Sequence, residues 1–329
     1  MPTRRTFLQL SLLTALAAAT TQAASVDSGL LNLAPSDATV LTGLNVDQAK
    51  TSLYGRYMLS QMTVDDAGFQ KFIADTGFDP RRDLSQIISA TSGDTTSSKT
   101  VVLGRGNFNS GKIANASQAE GAKLVSYKGV DIIFHNGTDM TGAIAFPDAT
   151  TALMGHLEAV KAAIDRRGQN SPALPSAVVS RIASLAAAND GWFLSTVSPA
   201  TFISGKIDSP KAGPMLEAGL MQSVLSGSGG LKFTASGVII GAQAVARSDK
   251  DAAALADVVR FFVNIVQSSR GTSREAAKFA DMLDTMQLNT QGPTMSFLLS
   301  IPEATLEQLF MGTHHVAGQR AAGGTVGLR

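Results

Sequence analysis

Leu124-Val125-Ser126-Tyr127-Lys128-Gly129-Val130-Asp131-Ile132-Ile133-Phe134 is the stretch that decides the fold class. Two runs rich in β-branched and aromatic residues flank Lys128-Gly129, and the glycine supplies the positive φ that a two-residue turn requires. The segment predicts a β-hairpin, which commits its strands to antiparallel pairing. Downstream, Asn136-Gly137 and Pro147-Asp148 mark two more turns around strands near Ala143–Phe146 and Thr151–Met154, before a helix over Leu157–Arg166. Upstream, the pattern gives a strand over Ala38–Val46, an Asp47-capped helix over Gln48–Met62 and a helix over Ala67–Asp75 closing at Gly77. A short helix over Leu84–Ser89, a polar loop over Thr91–Ser98, a strand over Thr100–Leu103 and a helix over Ile113–Glu120 follow. This reads as a meander with helices on one side.

Gly168–Pro175, with two prolines, reads as a linker. Beyond it the outline repeats: a helix over Ala177–Ala187, a strand over Trp192–Val197, and strands over Leu231–Ala235 and Val238–Ala246. Ser228-Gly229-Gly230 reads as a flexible approach to that last hairpin. Ser248 opens a long helix through a capping box with Asp251, and its broad apolar face predicts a buried helix. A helix over Arg274–Met286, a strand over Met295–Ile301 and a terminal helix through Phe310 complete the pattern. The expected fold is therefore α+β, with antiparallel sheets and packed helices. The expected organisation is a signal peptide over 1–23, a first α+β half over 24–170, a second over 171–311 and a flexible tail over 312–329. A duplication of one unit would explain the repeat, although residue identity between the halves is thin.

Composition excludes several function classes. The chain has 329 residues, 44% hydrophobic and 16% charged, with 27 basic against 26 acidic residues. Near-neutral, mixed charge gives no electrostatic footprint for nucleic acid. The absence of cysteine excludes disulfides, thiolate metal sites and a cysteine nucleophile.

The N-terminus reads as an export signal. Arg4-Arg5 precedes an apolar run over Leu10–Ala19 and a small, polar exit ending Thr21-Gln22-Ala23. Paired arginines with Phe7-Leu8 behind them resemble the twin-arginine signal, and a general secretory signal carrying two arginines remains the alternative. Cleavage after Ala23 removes Arg4 and Arg5 and no acid, moving the balance from +1 to −1. No later stretch is both long and apolar enough to span a bilayer, so the expected location is periplasmic or extracellular.

The chemistry-bearing motifs fall away one by one. Gly106-Asn107-Phe108-Asn109-Ser110-Gly111-Lys112-Ile113 nearly spells a phosphate-binding loop, but Ile113 stands where a magnesium-binding hydroxyl is needed, and Asn109 or Ser110 reads better as a helix cap. His135, His156, His314 and His315 form no zinc spacing. No nucleophile elbow and no serine three residues before a lysine occurs. No catalytic, metal or cofactor set is therefore expected. The densest mixed-charge feature, Asp79-Pro80-Arg81-Arg82-Asp83, is a candidate anion or ligand site through its arginine forks, against the plainer reading that Asp79 and Asp83 bond local amides or the arginines and fix a turn.

Three phrases carry a family resemblance: Asn45-Val46-Asp47-Gln48-Ala49 with Leu59-Ser60-Gln61-Met62; Thr76-Gly77-Phe78-Asp79-Pro80-Arg81-Arg82-Asp83-Leu84; and Ala246-Arg247-Ser248-Asp249-Lys250-Asp251-Ala252. Together they resemble an uncharacterised family of exported acidobacterial proteins. The resemblance implies export and supplies no activity. The expected function is a non-enzymatic binding protein for another protein or a surface ligand. The alternative is an exported hydrolase assembled from dispersed residues, with Asp79, Asp83 and Asp131 as acids. A third, an exported cofactor protein, follows only from the twin-arginine signal.

Overall fold

A computed structural model describes residues 25–60, 67–93, 98–134, 142–199, 201 and 218–305. The expected signal peptide, the expected Asn136-Gly137 turn, His135, His314, His315, and the parts of the expected terminal helix and tail beyond residue 305 lie outside the described residues. The strands are β1 (Ala38–Asn45), β2 (Leu84–Ser92), β3 (Lys99–Gly106), β4 (Lys123–Tyr127), β5 (Val130–Phe134), β6 (Ala143–Asp148), β7 (Thr151–Gly155), β8 (Gly191–Ser195), β9 (Val224–Thr234), β10 (Gly237–Ala246), β11 (Gln287–Gln291) and β12 (Thr294–Pro302). They form one antiparallel sheet in the order β11-β12-β10-β9-β8-β1-β2-β3-β7-β6-β5-β4. The fold is α+β. Outward from the central β1–β8 pair, β2, β3, β7 and β6 on one side match β9, β10, β12 and β11 on the other, and the β4–β5 hairpin is added at the first edge.

The helices are α1 (Ser28–Leu31), α2 (Val46–Thr51), α3 (Leu53–Ser60), α4 (Ala67–Thr76), α5 (Pro80–Asp83), α6 (Ser110–Ala119), α7 (Leu157–Asp165), α8 (Ser176–Ala188), α9 (Ala218–Ser223), α10 (Asp249–Ser268) and α11 (Arg274–Leu283). They cover both faces of the sheet, not one. Adjacent strand residues point oppositely, and Ile132 joins a core cluster with α1, α7 and α8 whereas Ile133 joins one beneath α6. The helices α10 and α11 pack on the α6 side, over Val238, Leu299, Ile301, Ala246 and Met295.

Local chemistry sets the boundaries. Lys128 and Gly129 take φ of 49° and 77°, the paired left-handed turn that the hairpin needs. Asn45, not Asp47, caps α2 by accepting the Gln48 amide, and the chain breaks at Ser52 before α3. Asn109 caps α6 through the Lys112 amide and Ile113 is buried, so the near phosphate loop is a helix start.

Three expectations are corrected. Leu84–Ser89 is strand, because β2 pairs with both β1 and β3, and Ile87 and Ile88 suit the two faces of a covered sheet. Ser228-Gly229-Gly230 lies inside β9, where a Cβ on Gly229 would stand 2.4 Å from the Gly241 carbonyl oxygen, and one on Gly230 2.4 Å from Asn189 Cγ. The helix α10 buries only Ala252, Leu255 and Ala256, all in its N-terminal half, and leaves Phe261, Phe262 and Ile265 about two-fifths exposed.

Candidate functional site

Directly paired residues of an antiparallel ladder share a face, so one face can be followed across the whole sheet. On the α8 side the first half reads Ile132, Ala145, Leu153, Leu103, Ile88 and Leu41, all fully buried beneath α1, α7 and α8. Beyond β8 its chemistry changes. Opposite Gly241, Gln243 and Val245 of β10 stand Gly230, Ser228 and Ser226 of β9 and Leu298, Ser296 and Thr294 of β12. Asn289 of β11 lies opposite Ser296 and Gln287 opposite Leu298. A face of serine, threonine, asparagine and glutamine cannot bury itself against a helix without leaving polar groups unpartnered, and α8 covers only its β8–β9 margin.

The result is a groove between α8 and the β11–β12 edge. It holds two adjoining cavities of about 480 and 550 Å³ that share Arg181, Ser228 and Gln243. Arg181 lies on α8 beside the buried Ile182, so its stem leaves the core margin and its head crosses the groove. Nη2 donates to Ser228 Oγ at 2.9 Å and to Gln243 Oε1 at 2.8 Å. Both acceptors are neutral. No carboxylate bonds the guanidinium, and its Nε and Nη1 have no partner among the described residues. Gly230 keeps the floor low by removing a side chain where Asn189 and the Gly191 carbonyl crowd the backbone.

None of the described residues lining the two cavities carries a carboxylate or an imidazole. The groove offers neutral hydrogen-bond donors and acceptors around one cation. This arrangement can orient a ligand and neutralise one negative charge.

The residues singled out by sequence lie elsewhere and satisfy one another. Asp79 caps α5 by accepting the Arg81 amide, and its two oxygens take Arg81 Nε and Nη2 at 2.9 and 2.8 Å. Asp83 takes Arg82 Nε and Nη2, both at 2.7 Å, and the Asp79 amide at 2.8 Å. The bonded arginines hold both carboxyls below the usual carboxylate range. The turn Asp79–Asp83 is an interlocked pair of ion pairs. Asp131 lies on the outer β4–β5 hairpin, so the three acids of the hydrolase reading do not converge in the groove. His156 precedes α7 without capping it. Among the described residues no group of three metal-ligating side chains occurs, and no helix is long and apolar enough to cross a membrane.

Sequence reasoning overlooked Arg181, Ser228, Gln243 and Asn289. They are spread over four elements and follow no motif. Their signal is the run of small and polar residues in strands otherwise patterned for a core.

Neither a family model nor a curated protein matches the chain. Solved structures of TP0453 are similar in outline. Crystal form I matches with a TM-score of 0.48 at 11% identity, covering 88% of this chain and 98% of that one. Crystal form III matches with a TM-score of 0.49 at 12% identity, covering 87% and 98%.

Proposed function

We propose that the protein is an exported, non-catalytic binding protein, periplasmic or extracellular, whose ligand lies in the groove beside α8. The observation that carries the reading is the change of one sheet face from a covered aliphatic core to a polar surface that Arg181 crosses and that, among the described helices, only α8 borders. Maintaining an uncovered polar face costs the fold core area that a helix would otherwise supply, and ligand contact is the physical use of such a face. Its chemistry suits a hydroxyl-rich ligand with one anionic group, such as an acidic oligosaccharide: neutral side chains exchange hydrogen bonds with hydroxyls and the guanidinium takes the carboxylate. The signal peptide and the route of export belong to this proposal, supported by Arg4-Arg5 and the apolar run that follows.

The test is an NMR titration, followed at backbone and side-chain amides, of the protein with neutral oligosaccharides, uronate-containing oligosaccharides and short peptides. Shifts confined to Gln243, Gln287 and Asn289, produced by the uronates and abolished in Arg181→Ala, support the reading. Turnover of any of these compounds, or shifts centred on Asp79, Asp83 or Asp131, would support the hydrolase instead.

A further inference from the structure

A second polar cavity, of about 200 Å³, lies in the first half where Asn32 after α1, the β6–β7 turn and the chain leaving α7 meet. Arg105, Arg166 and Arg167 line it. Their forks are not equally engaged. Arg105 Nε and Nη2 hold the two oxygens of Asp27 at 2.7 and 3.1 Å, and Nη1 reaches Thr151 Oγ1 at 2.6 Å. Arg166 donates only Nε, to the Leu33 carbonyl at 3.0 Å, and Arg167 only Nη1, to the Pro147 carbonyl at 3.2 Å. Neither meets a carboxylate at ion-pair distance among the described residues. Burial pushes the Arg166 guanidinium down, and Asp37 and Asp165 act on it from a distance without bonding it. A half-buried cation with no bonded counter-ion is an unfavourable arrangement that a bound anion relieves.

The same cavity carries an acceptor that lacks a proton donor among the described residues. Asn32 lines it, and its Nδ2 is fixed on the Gln169 carbonyl at 3.1 Å, which identifies Oδ1 as the acceptor. That Oδ1 is buried and has no partner, a condition rare enough in folded proteins to call for a donor. Asp148, also in the wall, accepts from the Thr150 amide and hydroxyl and from the Thr151 side chain, and its carboxylate keeps lone pairs for a further donor. The cavity thus combines two guanidinium forks that want oxyanion acceptors with acceptors that want an O–H.

We infer that this cavity binds a protonated phosphate group, with free hydrogen phosphate as its ligand. The anionic oxygens meet Arg166 and Arg167, and the P–OH donates to Asn32 Oδ1 or Asp148. Sulfate has the same shape and no proton at neutral pH, so the acceptors that select phosphate reject it. This site is independent of the groove at Arg181.

Isothermal titration of the whole chain at pH 7 and constant ionic strength, with inorganic phosphate, sulfate and glycerol 3-phosphate, tests it. The expected result is saturable phosphate binding, at least tenfold weaker for sulfate. In Arg167→Gln phosphate binding falls at least tenfold, and in Arg167→Lys by less, with unchanged thermal melts for both. In Asn32→Ala the preference over sulfate collapses. Equal binding of phosphate and sulfate insensitive to Arg167→Gln, or no binding of either, overturns the inference. Binding of glycerol 3-phosphate without inorganic phosphate overturns the free ion as ligand and assigns the cavity to an esterified phosphate.

Discussion

Gly43→Ala probes the junction on which the continuous face depends. Gly43 of β1 lies directly opposite Trp192 of β8. A Cβ built there stands 2.4 Å from Trp192 Cε2 and Cζ2 and 2.6 Å from Nε1. Carbon atoms pack at about 3.5–4.0 Å, so the overlap exceeds an ångström. The indole is 6% exposed and held in the main core cluster, so it cannot swing aside freely. Overpacking of a filled core costs about 1–3 kcal/mol, and the rigid ring places this variant at about 2–3 kcal/mol. Trp192 is the chain's single tryptophan, so urea unfolding followed by its emission reports both stability and the ring's own environment. The expected result is a lower midpoint with a red-shifted native emission. In a Trp192→Leu background, followed by circular dichroism, the same glycine substitution should cost at least about 1.5 kcal/mol less, a coupling typical of touching residues. A change within about 0.5 kcal/mol, the range of an ordinary surface substitution, with unmoved emission would refute the β1–β8 register and the face that follows from it.

Further outcomes can be checked on the same protein. Stability should hold from neutral pH to about 5 and fall as pH drops below about 4, because Asp27, Asp79, Asp83 and Asp148 all lie below the ordinary carboxylate range and bind fewer protons folded than unfolded. In Asp27 and Asp148 burial is the largest influence and raises the pKa, but hydrogen bonds from Arg105 and Leu30, and from Thr150, outweigh it. Urea midpoints between pH 3 and 7 should show a shallower acid slope in Asp27→Asn. Gly129→Ala, at φ 77°, should cost about 1–2 kcal/mol in a thermal melt. Asp79→Ala removes the α5 cap and should cost about 1 kcal/mol; an unchanged melt accompanied by lost anion binding would return the Asp79–Asp83 turn to a ligand-binding role.

The parts of the fold legible in the sequence are those governed by short-range chemistry. Lys128-Gly129, the caps at Asn109 and Ser248, and the strands around them are fixed by residues a few positions apart. The segment Leu84–Ser92 was not, because Leu84, Ile87 and Ile88 fit a helical face as well as a strand, and only pairing with β1 and β3, supplied from elsewhere in the chain, decides between them. The strand β11, Gln287–Gln291, is mostly polar and exposed, so it carries no alternation to read. The glycines of β9 look like a loop until Asn189, Phe193 and Gly241 are seen crowding them. The groove escapes for the same reason. Its polarity is a property of one face of four strands, visible only once register places Ser228, Gln243, Ser296 and Asn289 in a row.

A native mass spectrum of the protein purified from its own cells and their culture medium tests the binding-protein account most directly, taken for the wild type and for Arg181→Ala side by side. The account predicts a reproducible non-covalent adduct on the wild type that the variant loses at unchanged protein mass and fold. The bare protein mass in both, or one adduct retained equally by both, would contradict it.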